Sequence, residues 1–256
     1  MIKRFCSCVL LLSFVWSSQA AELSVGLGAA ALPPTGDDNW RVFPAPSFRY
    51  ENNGYSVASA GLGIGTDLVP NRLISLGPLM RYNGGRDEAE VPDIPASAEV
   101  GLAGGSGIPW KVIGVPLPGI LTVGGDIATS MPGGHESMYG TMKFGWVLPT
   151  TDQLTFIGNL GFSYFSDDYS ERFFSLNASD ASAAGVEAFD ADGGWQEMSV
   201  GLVTAYRIKP RWSTILVLSR SHYIGDAADS PVTDLLDDQS RYVAVVGVNY
   251  QWLGND

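Results

Sequence analysis

Tyr242-Val-Ala-Val-Val-Gly-Val-Asn-Tyr-Gln-Trp252 lies four residues from the end of a 256-residue chain. Strand side chains alternate with period two, so Tyr242, Ala244, Val246, Val248, Tyr250 and Trp252 share one face. Val243, Val245, Gly247, Asn249 and Gln251 take the other. The first face is wholly apolar, with an aromatic ring at each end. A strand facing lipid needs such a belt between two interfacial girdles. Gly247, Tyr250 and Trp252 also fit a C-terminal signal for insertion into an outer membrane.

The same pattern recurs along the chain. Leu23, Val25, Leu27 and Ala29 alternate with Ser24, Gly26 and Gly28. Pro44, Pro46, Phe48 and Tyr50 oppose Arg41, Ser47 and Arg49. Further segments run through Ile74–Tyr82, Leu121–Ser130, Met138–Leu148, Leu154–Tyr164, Met198–Ile208 and Trp212–Ser221, with weaker ones at Tyr55–Gly65 and Ala96–Gly104. Alternation alone fits a soluble sandwich too, but three features favour a barrel. Tyr50, Tyr82, Trp146, Tyr164, Trp212 and Trp252 sit at strand ends. The polar face is rich in glycine and small hydroxyls. Several segments also exceed the ~5–6 residues usual in soluble sheets. The expected fold is an all-β, antiparallel, transmembrane outer-membrane β-barrel. Eleven segments can be counted, whereas single-chain bacterial barrels have an even number. Twelve strands are expected and ten are the alternative, with the missing strand placed between Asn53 and Gly85.

The N-terminus supplies a compartment. Lys3 and Arg4 precede the apolar run Val9–Trp16, and Ser18-Gln-Ala20 has the form of a cleavage site. Residues 1–20 are therefore expected to be a cleaved signal peptide and 21–256 a barrel domain in the Gram-negative outer membrane. Cys6 and Cys8, the only cysteines, fall in that segment, which excludes thiol chemistry from the barrel. The chain carries 15 basic and 27 acidic residues; without Lys3 and Arg4 the basic count is 13 and the net charge −14. Such a chain repels nucleic acid.

Connections alternate in length. Pro149–Asp152 and Lys209-Pro210 read as tight periplasmic turns. Ser166–Gly194 and Gly225–Ser240 read as long, acidic, solvated outer loops facing lipopolysaccharide. The Gly105–Gly119 connection falls on the periplasmic side and is the longest surface expected there. Arg49, Arg81, Asp126, Lys143, Glu197, Arg207 and Arg241 fall on the lumen face. Their mixed signs suit pairing inside a filled or very narrow barrel, since wide aqueous channels belong to about 16 strands or more. A narrow pore lined by them is the transport alternative. His135 and Ser137 could supply a barrel-rim hydrolase, but no second motif supports it, and Gly133-Gly134 gives His135 a simpler place as a turn residue. Neither metal-ligand nor calcium-loop spacing is visible, and no cofactor is expected.

Five blocks in order carry a resemblance: Arg41-Val-Phe-Pro-Ala-Pro46; Gly77-Pro-Leu-Met-Arg-Tyr82 with Gly85-Arg86; Gly133-Gly-His135; Ser166-Asp-Asp-Tyr169; and Ile224-Gly-Asp-Ala-Ala-Asp-Ser-Pro-Val232. In the last block Gly225, Asp226, Ser230 and Pro231 are the most specific. Together they resemble the MipA/OmpV family of outer-membrane proteins. The resemblance implies an outer-membrane barrel, and the expected role is non-enzymatic. It further implies a scaffold that binds a membrane-bound lytic transglycosylase (MltA) and a murein synthase, linking cleavage of peptidoglycan to its synthesis. Other members look porin-like. Leu253–Asp256 continues past the terminal aromatic, where barrels usually stop.

Overall fold

The structure, a computed structural model, describes residues 21–32, 41–71, 73–88 and 91–253. The expected signal peptide lies outside them. Twelve antiparallel strands close into one barrel. They are β1 Glu22–Leu32, β2 Arg41–Asn52, β3 Tyr55–Ala60, β4 Gly63–Asp67, β5 Ile74–Asn83 and β6 Ser97–Pro109. The second half comprises β7 Ile120–Ser130, β8 Met138–Pro149, β9 Leu154–Phe165, β10 Gly194–Lys209, β11 Trp212–Tyr223 and β12 Ser240–Leu253. Among the described residues no helix is long and apolar enough to cross a membrane.

The terminal strand closes the barrel. β12 pairs with β11 on one side and with β1 on the other, in the register Val25 to Tyr250, Leu27 to Val248 and Ala29 to Val246. Each of these pairs stands on the outer face, so register and hydrophobic pattern agree. Tyr250 packs between Trp212 and Trp252, with ring centroids 4.8 and 6.0 Å away. That trio is one arc of an interfacial girdle. Tyr164 and Trp195 form another at the opposite end, 5.7 Å apart.

The strand missing from the sequence count is here. The weak Tyr55–Gly65 segment is two short strands, β3 and β4, joined at Gly61-Leu62. They are too short to show the pattern clearly. β2 enters β3 through Asn53 and Gly54, whose φ values of 52° and 83° suit the two-residue turn of a twisted hairpin. The other revision concerns Gly105–Gly119. Its first residues extend β6 to Pro109, and the connection proper is a 3-10 turn at Trp110–Ile113 followed by a loop. Gly105 stacks against Gly124 of β7, with no side chain to break the ladder.

The lumen face is packed in part: Val203 and Val217 are buried at mid-height and Val147 near the short-turn end, while Arg49 and Val245 are half-exposed. Glycines make room for polar side chains to lie flat on the wall. Ser47 and Asn249 hydrogen-bond at 3.0 Å over Gly26, where a Cβ would stand 1.9 Å from the Asn249 Oδ1.

The long loops are not the solvated tethers expected from their acidity. Ser166–Gly194 contains helices α1 Asp167–Phe174 and α2 Ala178–Ala184, and Ile224–Gln239 contains α3 Asp226–Asp229 and α4 Pro231–Leu235. The acidic residues supply helix starts and exposed faces. The residues between them turn inward, so the aromatics Tyr169 and Phe174, the aliphatics Leu176 and Val232, and Thr233 are buried. The result is a helical lid over one end of the barrel.

Candidate functional site

Local sequence fixes the lid helices. The Ser166 hydroxyl accepts from Tyr169 N and caps α1, and Asn177 caps α2 through Ser179 N and Asp180 N. Ser230 caps α4, with Pro231 at the first helical position, where its missing N–H costs nothing. Ser230 Oγ also donates to Phe174 O at 2.5 Å, tying α4 to α1. Arg86 donates to Phe173 O at 2.7 Å and to Pro92 O at 2.9 Å, tying the β5–β6 loop to the same helix. Gly225 adopts a φ of 59°, and the following turn is held by Ala227 N donating to the Gln196 side chain. Asp226 accepts from Asp192 N at 2.8 Å. Thus Gly225, Asp226, Ser230 and Pro231, read from sequence as a motif loop, form the hinge and staple of the lid.

Directly beneath lies a charged layer. Glu99 on β6, wholly buried, collects four donors. Arg81 Nε (2.7 Å) and Tyr139 OH (2.8 Å) reach its Oε2; Asn83 Nδ2 (2.7 Å) and His135 Nε2 (3.0 Å) reach its Oε1. Arg81 Nη1 continues to Asp126 Oδ1 at 2.9 Å, and Thr141 Oγ1 donates to the other Asp126 oxygen. The Arg81 guanidinium also stacks over the Tyr139 ring at 4.4 Å. Across the lumen a second layer joins Arg241 Nη2 to Glu197 Oε2 at 2.5 Å, with Ser163 Oγ donating to Glu197 Oε1 and Tyr223 beneath the guanidinium. A cavity of about 60 Å³ separates the two layers and the lid.

Of the remaining lumen residues, Arg49 pairs with Glu51 at 2.8 Å, Lys143 is half-buried, and Arg207 is exposed at the short-turn end. The structure therefore gathers the seven sequence candidates into separate groups rather than one lining. Gly247 lies on the lumen face of β12, while Tyr250 and Trp252 point outward.

Gly133, at φ 87°, makes the β7–β8 turn, and Gly134 lies against Ser97, where a Cβ would stand 2.4 Å from the Ser97 Cβ. That close approach drops His135 into the barrel mouth. Its Nδ1 stands 2.7 Å from Ser137 Oγ, and its ring meets Tyr169 and Phe173 edge-on. Serine, histidine and glutamate are thus linked as in a hydrolase relay. The arrangement is not poised for one. The hydroxyl sits on Nδ1 and the carboxylate on Nε2, the reverse of the usual order. All three side chains are buried under α1, and Glu99 already spends its oxygens on four donors. The relay fastens a turn to the wall. Glu99 was not singled out from sequence; its only signal is an acidic residue at lumen parity in a glycine-rich strand.

Comparison with known proteins gives a family. A family model described as "MltA-interacting protein MipA" matches residues 25–252. The chain is 22% identical over 261 residues to outer membrane protein YiaT of Escherichia coli O157:H7, covering 98% of this chain and all of the relative. An outer membrane channel from Pseudomonas putida F1 shares 8% identity and a TM-score of 0.46, covering 95% of this chain and all of the other. The translocator domain of autotransporter NalP from Neisseria meningitidis shares 12% identity and a TM-score of 0.42, covering 91% of this chain and 88% of the other.

Proposed function

Because the chain belongs to the MipA family of MltA-interacting proteins, we propose that it is an outer-membrane scaffold that docks a lytic transglycosylase, and through it a murein synthase, at its short-turn end. The observation that carries this reading is the Trp110–Gly119 connection. Other described turns at that end have two to six residues, whereas this loop exposes Val112 (73%), Ile113 (47%) and Leu117 (48%). Exposed apolar side chains on a loop with a cation, Lys111, and no carboxylate suit a protein partner. The outer-membrane location is supported by the apolar outer belt and by the similarity to outer membrane protein YiaT.

The lidded mouth, the paired charge layers and the buried valines favour a scaffold over a narrow pore. The test joins both points. A photoreactive residue at Val112 is expected to crosslink to a lytic transglycosylase in envelopes, and the folded barrel to carry no steady current in planar bilayers. Absence of any transglycosylase adduct, together with stable ion conductance, sinks the scaffold in favour of the pore.

A further inference from the structure

Two proline-bearing blocks, Arg41–Pro46 and Gly77–Tyr82, flank a notch in the barrel wall. The β3–β4 hairpin turns back at Gly61-Leu62, and β2 pairs with β3 only from Arg49 to Asn52. Above Arg49 the β2 edge has no strand partner on that side among the described residues. In an antiparallel ladder, alternate residues turn both backbone groups toward the same neighbour. Phe48 N donates to Ser59 Oγ of β3 at 2.8 Å, so Val42, Pro44 and Pro46 turn theirs to the open edge. Two of these three have no N–H. On the facing strand Tyr82 N donates to Leu62 O at 3.1 Å at the hairpin tip, whereas Pro78 lies on the other side of that tip, beside β4, where its carbonyl accepts from Thr66 Oγ1 at 3.1 Å.

The edge therefore offers carbonyls with a single N–H among them. It also runs through the apolar belt. By register through β1, Val42 is aligned with Ala244, Pro44 with Val246 and Pro46 with Val248, all inside the Tyr242 girdle position. Hydrocarbon cannot satisfy such carbonyls, which is why open sheet edges are not found facing lipid tails. The notch encloses about 550 Å³, within the ~300–1,000 Å³ usual for small-molecule sites. Phe48, Leu62, Ile64, Met80 and Tyr82 form its apolar walls, and among the described residues Arg81 is the one charged residue that lines it.

We propose that the notch is a lateral site for an amide-linked, hydroxylated acyl chain of outer-leaflet lipopolysaccharide. Its methylenes lie along the apolar walls. Its amide N–H and hydroxyl donate to the β2 edge carbonyls. Another strand fits poorly, because Pro44 and Pro46 cannot donate to it. An ester-linked phospholipid chain brings no donor at that depth. The inference rests on the outer-membrane placement proposed above.

Benzoylphenylalanine at Met80, with Val200 on the lipid face of the far wall as control, tests it. After irradiation of cells, the Met80 position is expected to yield at least five times the lipopolysaccharide adduct of Val200. Ser59→Trp, which fills the notch, is expected to bring the Met80 adduct down to the control level while heat-modifiable mobility persists. Should that variant not fold, Leu62→Trp at the hairpin tip serves the same purpose. Equal adducts at both positions, an adduct to phospholipid alone, or indifference to the filling variant overturns the site. No lipopolysaccharide adduct at either position overturns the outer-membrane placement as well.

Discussion

The imidazole Nε2 of His135 lies 3.0 Å from the Oε1 of Glu99, joining the β7–β8 turn to β6 across 36 residues of sequence. Neither side chain reaches solvent. The contact is one spoke of a carboxylate hub that also receives Arg81, Asn83 and Tyr139, so it fixes four neighbouring segments at the mouth of the barrel.

Removal of the hub carboxylate is expected to be costly. Glu99→Ala strands a buried Arg81 with one remaining counter-ion and leaves Asn83, His135 and Tyr139 without their acceptor. Loss of one partner from a buried pair typically costs about 3–5 kcal/mol. Urea unfolding in detergent or lipid, followed by tryptophan fluorescence, is expected to show a clearly lowered midpoint. An unchanged midpoint would remove the hub from the account of stability.

Ser137→Ala separates a fastening role from a catalytic one. The variant loses one hydrogen bond, so a destabilisation of roughly 0.5–1.5 kcal/mol is expected. Ester hydrolysis by the purified barrel is expected to be at background before and after the change. Activity that disappears with Ser137 would revive the hydrolase.

Ser230→Ala tests the lid staple. The change leaves Phe174 O buried without its donor and uncaps α4, at about 1–3 kcal/mol for the unmet group. The loss falls on the lid, not on the ladder. Limited proteolysis is expected to cut within residues 166–193 faster, with the heat-modifiable band of the barrel retained. Equal cutting rates in variant and parent would show that the helices hold together without the staple.

Gly26→Val probes the close packing of the inner wall. A Cβ at this position meets Asn249 and Ser47 well inside contact distance. Overpacking of this kind costs roughly 1–3 kcal/mol. Refolding yield into lipid vesicles is expected to fall, and Asn249→Ala in the same chain to recover part of it. A variant that folds as well as the parent would mean the wall can yield there.

Much of the barrel was legible in one dimension because strand alternation has a period of two and needs no partner to be seen. Leu27, Val248 and Trp252 declare their outward face from sequence alone, and β12 could be recognised from its own eleven residues. Parity likewise put Arg49, Arg81, Asp126, Lys143, Glu197, Arg207 and Arg241 on the lumen side. Alternation fails where a strand is short, and β3 and β4, at six and five residues, blurred into one segment.

What parity could not supply was company. Arg81 meets Glu99 because β5 pairs with β6, and Asp126 because β6 pairs with β7. His135 joins them only because a glycine turn folds inward. Acidity dominates the composition of the lid and makes it look solvated in sequence, while the burial of Tyr169 and Phe174 depends on a barrel mouth that only the closed sheet creates. The sequence by itself therefore determined which face of each strand meets lipid, since that follows from local chemistry repeated every second residue. The tertiary structure decided which lumen charges neutralise one another, how the mouth is sealed and where the wall stands open, since each depends on register between strands far apart in the chain.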